Sequence, residues 1–208
     1  MRSSDLRREE NYSEYLRLRQ NDDYYDVTFD EASGGVTAIH RSHKFDKKVG
    51  NLGIRRGDYE LAVVDVLRKS GHRVVLESER SIQNRKVCDG YLDDVPTEIK
   101  AVEGTGTWSI STKLRDAVKQ HAQSVILFFP KEDLYSEIRV KDGLRLFLSG
   151  ANKADCQELN QIVVIVEDKL VSCIDQKTTP IKGWSIEEGL RGQNGATPFT
   201  IPPSDAKL

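Results

Sequence analysis

Residues 86–100 read KVCDGYLDDVPTEIK. Asp93 and Asp94 stand between two strand-like runs and predict a two-residue hairpin turn, with Leu92 paired to Val95. That register sets Asp89 directly opposite Glu98. Side chains alternate faces with period two, so Val87, Asp89 and Tyr91 share a face with Pro96, Glu98 and Lys100. The other face carries Cys88, Leu92, Val95, Ile99 and Ala101, a core-like set. Opposed residues have Cβ atoms ~5 Å apart, and like charges there destabilise the pair. At an effective dielectric of about 20 and a separation of about 4 Å the repulsion is roughly 4 kcal/mol. A divalent cation between the carboxylates reverses that sign, and Mg²⁺ binds in this way, through one or two carboxylates and retained waters. Lys100, on the same face, is placed to orient or deprotonate an attacking water or to stabilise charge building on a phosphate. The competing reading is a solvated hairpin face, because an E-x-K triplet alone occurs often by chance.

Other residues bear on the same chemistry. Glu60, Val63, Val64 and Leu67 follow helical spacing, which places an acid on or beside an apolar stripe. Such an acid is paired, metal-bound, or favoured simply by the helix N-terminus. Lys113, Ala117 and Gln120 share a stripe on a later helix, and Lys113 is the candidate phosphate contact. Trp108 is a candidate base-stacking residue, with a core staple as the alternative. His40 and His43 lack ligand partners at metal spacing and read as structural or exposed. Gly104-Thr105-Gly106 lacks the Lys-Ser/Thr of a phosphate-binding loop.

The elements that must position these groups follow from periodicity and punctuation. Residues 1–20 predict a charged, exposed helix, and 21–50 a hairpin or ordered arm. Acids outnumber bases nine to five over residues 1–35. A helix begins at an Asp58 cap and stops at Gly71. Strands are expected over 73–77, 86–92 and 95–101. A helix over 109–123 has Ile110, Leu114, Ala117, Val118 and His121 on its apolar side. A buried strand covers 125–129, a helix 134–148, and a hairpin 162–174 turns at Glu167-Asp168. The order over 51–130 is α-β-β-β-α-β, an α/β (α+β) layer fold with a mixed sheet flanked by helices. The division expected is an N-terminal helix and arm (1–50), a main domain (51–182) and a loop-rich tail (183–208).

Composition sets outer bounds. The 208 residues suit one domain. A net charge of −2 and a pI near 6.1 give no global electrostatic case for nucleic acid. A local basic groove plus a metal ion would suffice. Cys88, Cys156 and Cys173 form no C-x-x-C, which disfavours a disulfide framework and a structural zinc site. The charged N-terminus has no apolar signal core, and no apolar run is long enough to span a bilayer. The expectation is a cytoplasmic protein with no membrane contact.

Together these residues resemble the PD-(D/E)xK nuclease superfamily, with its Asp on one strand, its Asp/Glu-x-Lys on the next and its αβββαβ core. Cys88 stands where that name has its Pro. The stretches HKFDKKVGNLGIRRGDYELAVVDVLRKSGHRVVLESE, DGYLDDVPTEIKAVEG and WSISTKLRDAVKQHAQSVILFFP also resemble C-terminal nuclease toxin domains. Those domains belong to contact-dependent inhibition systems and to phage head-morphogenesis proteins. The resemblance implies Asp89, Glu98 and Lys100 as catalytic residues and Asp89, Glu98 and the auxiliary Glu60 as metal ligands. It puts Gln120 near the site. It further implies a divalent metal, Mg²⁺ first with Mn²⁺ or Zn²⁺ as alternatives, and a nucleic-acid substrate, RNA or tRNA before DNA. An immunity protein is an implied partner. Two other readings stay open: a metal-independent toxin RNase, and a non-catalytic protein-binding module of mobile-element origin.

Overall fold

A computed structural model describes residues 3–78, 88–150 and 158–175. The expected strand residues Lys86 and Val87, the end of the 51–182 unit and the 183–208 tail lie outside the described residues. The chain is a mixed α/β protein with an eight-stranded mixed sheet whose strands lie side by side in chain order. They are β1 (Tyr24–Phe29), β2 (Val36–His40), β3 (Arg73–Leu76), β4 (Gly90–Leu92), β5 (Val95–Ala101), β6 (Ser124–Phe129), β7 (Gln161–Val166) and β8 (Lys169–Asp175). Four α-helices are described: α1 (Ser3–Arg19), α2 (Arg56–Lys69), α3 (Thr107–Val118) and α4 (Glu137–Gly150). The pairs β2–β3, β5–β6 and β6–β7 are parallel, and the others are antiparallel. Each parallel pair needs a crossover, and α2, α3 and α4 supply them in turn. From α2 to β6 the order is αβββαβ.

The sheet is covered on both faces, which is why its central strands are continuously apolar. All six residues of β6, SVILFF, are buried. Val125, Leu127 and Phe129 pack with α3 and α4 through Ile110, Leu114 and Phe147. Ile126 and Phe128 pack on the other side with Tyr59, Val63 and Leu67 of α2. A fully buried Leu, Phe or Ile stabilises by roughly 1.5–3 kcal/mol, so these two layers dominate the fold.

The critical hairpin forms for the reason its sequence suggests. Asp93 and Asp94 have φ of 49° and 69°, the positive pair that a two-residue type I′ turn requires. Leu92 then pairs with Val95, Tyr91 with Pro96 and Gly90 with Thr97. β4 is short, beginning only at Gly90. A Cβ there would sit 2.0 Å from the Val75 carbonyl oxygen, so only glycine permits the close β3–β4 approach. Strand alternation therefore begins at Gly90 and does not include Asp89. Cys88 corrects the expectation accordingly: it packs with the α3–α4 core, not with Leu92 on the α2 side.

Other boundaries differ for local reasons. α2 starts at Arg56, with Arg55 as an uncapped N-cap, and Asp58 lies in the first turn paired to Arg55 at 3.0 Å. Gly71, at φ 82°, follows the helix as expected. α3 ends at Val118, so His121, at φ 59°, leaves the apolar side and is exposed. The N-terminal arm is built into the sheet. β1–β2 is its first hairpin, and α1 is not simply exposed: Leu18 is 1% exposed among Val36, Ala38 and Val75. The buried Asn11 amide donates to the Gly34 carbonyl at 2.9 Å. Among the described residues no helix is long and apolar enough to cross a membrane.

Candidate active site

β5 outruns its neighbour. Its pairing with β4 stops at Gly90–Thr97, while it continues beside β6 through Ala101. The edge from Glu98 onward thus lacks a β4 partner, and its amide needs an acceptor. The Asp89 side chain supplies one: Oδ2 accepts the Ile99 N–H at 2.7 Å. In return the Asp89 N–H donates to Glu98 Oε2 at 3.1 Å. The two carboxylates are fixed together by backbone atoms where the sheet opens.

That opening is a cavity of about 200 Å³. Asp89, Glu98 and Lys100 line it, with Tyr59 and Glu60 from α2 and Lys113 from α3. Glu98 and Lys100 pair in register with Val125 and Leu127, so they rise on the α3 side of β5. Glu98 is 3% exposed. Its Oε1 accepts hydrogen bonds from the Lys100 ammonium and, at 2.7 Å, from the Gln120 amide. Gln120 also donates to the Asp116 carbonyl at 3.3 Å, which holds it at the end of α3. Lys100 is not an open surface lysine; it is tied to a buried acid, with its side chain 17% exposed.

Glu60 lies on the same cavity, and its side chain is 12% exposed. Its Oε2 stands 3.1 Å from His43 Nε2, and His43 Nδ1 meets the Glu77 carbonyl at 2.8 Å. Because a carbonyl can only accept, Nδ1 carries a proton. His43, read from sequence as structural or exposed, is thus a buried clamp on Glu60. Arg56, Asp46 and Glu103 complete the rim, and periodicity gave no sign of them. Glu103 accepts from the Tyr59 hydroxyl at 2.8 Å and from the amides of Asn51 and Leu52.

The electrostatics are those of an under-neutralised acid site. Five carboxylates (Asp46, Glu60, Asp89, Glu98 and Glu103) face three cations (Arg56, Lys100 and Lys113). Burial first, then the neighbouring Glu98 charge, pushes the Asp89 carboxyl well above the usual carboxylate range; the Ile99 amide only partly offsets this. Burial, with Lys100 and Arg56 nearby, depresses Lys113.

The structure thus brings Asp89, Glu98, Lys100, Glu60 and Lys113 to one cavity and bonds Gln120 to its central acid. Trp108 does not join them: it is 63% exposed on the first turn of α3, neither lining the cavity nor stapling the core. Among the described residues no three His, Cys, Asp or Glu side chains stand close enough to cage a metal. Asp89 and Glu98 offer two adjacent oxygen donors, and Glu60 is turned to His43. No family model, no curated protein and no solved structure matches the chain.

Proposed function

We propose that the chain is a metal-dependent nuclease with a PD-(D/E)xK-like core, cleaving phosphodiester bonds of RNA, tRNA in particular, before DNA. The observation that carries this reading is the convergence of Asp89, Glu98, Lys100 and Lys113 on one cavity. The donor set fits Mg²⁺ or Mn²⁺, which use one or two carboxylates and keep waters for the remaining positions. It does not fit Zn²⁺, whose sites use three or four protein ligands. Asp89 and Glu98 would hold the ion. When bound, such a cation supplies positive charge at the phosphate and acidifies a coordinated water.

The chain's own groups divide the remaining work. Lys113 and Arg56 face the cavity as cations able to hold non-bridging phosphate oxygens. Lys100, anchored on Glu98, is placed where charge develops on the phosphate during attack. Gln120 orients Glu98 from behind, and His43 orients Glu60. RNA ahead of DNA rests on the sequence resemblance alone.

One observation favours a second reading. A carboxyl raised well above its ordinary range suits a general base near neutral pH. In a metal-independent RNase, Asp89 would take the proton of a ribose 2′-hydroxyl and Lys100 would steady the phosphate. Incubation with total tRNA, single-stranded DNA and plasmid DNA, in Mg²⁺, Mn²⁺, Zn²⁺ or EDTA, separates the readings. Cleavage in Mg²⁺ or Mn²⁺ that EDTA abolishes supports the first. RNA cleavage indifferent to EDTA supports the second. Inertness toward every substrate sinks both.

A further inference from the structure

We propose that the loop from Lys44 to Arg56 is a phosphate-backbone collar that binds the nucleic acid to one side of the bond being cut; this rests on the nuclease reading above. The segment KFDKKVGNLGIRR holds five cations and one acid, in a chain whose net charge is −2. Lys44, Lys47, Lys48, Arg55 and Arg56 are all exposed. Asp46 pairs with Arg56 at 3.6 Å, and Arg55 with Asp58 at 3.0 Å. The ammonium groups of the three lysines have no carboxylate partner among the described residues, and the Lys48 backbone amide donates to Asp46 at 2.9 Å.

The collar's position gives its charge a use. Asp46 and Arg56 line the acid cavity. Asp46 also lines a second, more open groove of about 900 Å³, walled by Lys44, Lys47 and Arg55. The two spaces share Asp46 as a common wall, and a polyanion extending past it from the cavity would meet Lys44 and Lys47. An acidic peptide or an anionic membrane would also meet positive charge. Neither would account for a groove that shares a wall with a cavity lined by Lys100 and Lys113.

The loop is held in shape before any ligand arrives. The Gly50 amide donates to the Ile54 carbonyl at 2.8 Å, Arg56 to Lys48 at 2.9 Å and Gly57 to Asp46 at 2.9 Å. The Glu103 carboxylate, just beyond β5, takes the amides of Asn51 and Leu52 at 3.1 and 3.4 Å. It approaches so closely that a Cβ on Gly50 would meet its Oε1 at 2.2 Å. The collar is thus tied to the rim of the cavity, and its lysines need no ordering of the backbone to bind.

The test is equilibrium binding of a fluorescein-labelled oligouridylate in EDTA, followed by anisotropy over a range of salt. Each lysine that neutralises a phosphate contributes about 0.7 to the slope of log K against log salt for a single strand. The variant with Lys44→Gln, Lys47→Gln and Lys48→Gln is expected to lose about 2 from that slope, and Lys47→Gln alone about a third as much. Circular dichroism of both variants should match the wild type. An unchanged slope in a folded triple variant overturns the collar, even if the wild type cleaves normally. Binding with the expected slopes but no cleavage under any metal leaves the collar standing and removes the nuclease. Wild-type protein that ignores oligouridylate yet binds an acidic peptide or phosphatidylserine vesicles overturns the assignment of the partner.

Discussion

The Asp89 amide donates to Glu98 Oε2 at 3.1 Å while the Asp89 carboxylate accepts from the next amide along β5, that of Ile99, at 2.7 Å. These two acids cannot swing apart to relieve their repulsion without breaking the bonds that close the sheet edge. The repulsion is instead relieved by holding a proton, by the Lys100 ammonium, or by a cation.

That relationship has a pH signature. The folded-state pKa of Asp89 is raised, so its proton stabilises the fold. The contribution is fully present below the unfolded value of about 4 and is lost as pH rises through the folded value. Calorimetry without metal should show a melting temperature that declines over this range relative to Asp89→Asn. Millimolar Mg²⁺ should cancel the decline and release a proton on binding. A wild-type profile parallel to that of Asp89→Asn, with and without metal, would remove the coupled acid pair.

Lys100→Ala should cost activity and also stability. It strips a partner from Glu98, which is 3% exposed. A buried acceptor that loses a partner costs about 1–3 kcal/mol, more than an exposed lysine would. The rate should fall on the order of 10²–10³. Urea denaturation alongside single-turnover kinetics checks both.

Gln120→Ala should lower the rate about 10–100-fold, the usual cost of losing a group that orients a metal ligand. Its amide donates to Glu98 at 2.7 Å from the far end of α3. Because Gln120 does not line the cavity, the loss should fall on kcat and on Mg²⁺ dependence rather than on KM. A pure KM effect would instead make it a substrate contact.

His43→Ala should be among the most damaging changes outside the cores. The ring is buried between the Glu77 carbonyl and Glu60. Removing it takes the donor from the Glu77 carbonyl and the partner from Glu60, and opens a void, at a cost of about 2–4 kcal/mol. Equilibrium urea unfolding measures it directly.

The hairpin was legible because a two-residue turn fixes register, and Asp93-Asp94 left one natural pairing. The apolar runs of β6 and β7 and the helical stripe carrying Lys113 were equally local signals. What escaped depended on contacts distant in sequence. β2 joins the sheet by pairing in parallel with β3, which no local pattern announces, so the first 50 residues read as an appended arm. His43 reaches Glu60 only through the fold of the intervening loop. Cys88 landed on the wrong face because alternation presumes a strand, and the chain bends at Asp89. Trp108 was tied to the site only by position, and the helix turns it outward.

The most direct test of the account compares wild-type protein with Asp89→Asn on total tRNA and plasmid DNA, in Mg²⁺ and in EDTA. Asparagine keeps an oxygen for the Ile99 amide and removes only the charge. The account predicts Mg²⁺-dependent cleavage by the wild type and a rate at least about 100-fold lower in the variant, with circular dichroism unchanged. Wild-type protein that cleaves nothing, or Asp89→Asn that cleaves at the wild-type rate in Mg²⁺, would contradict it.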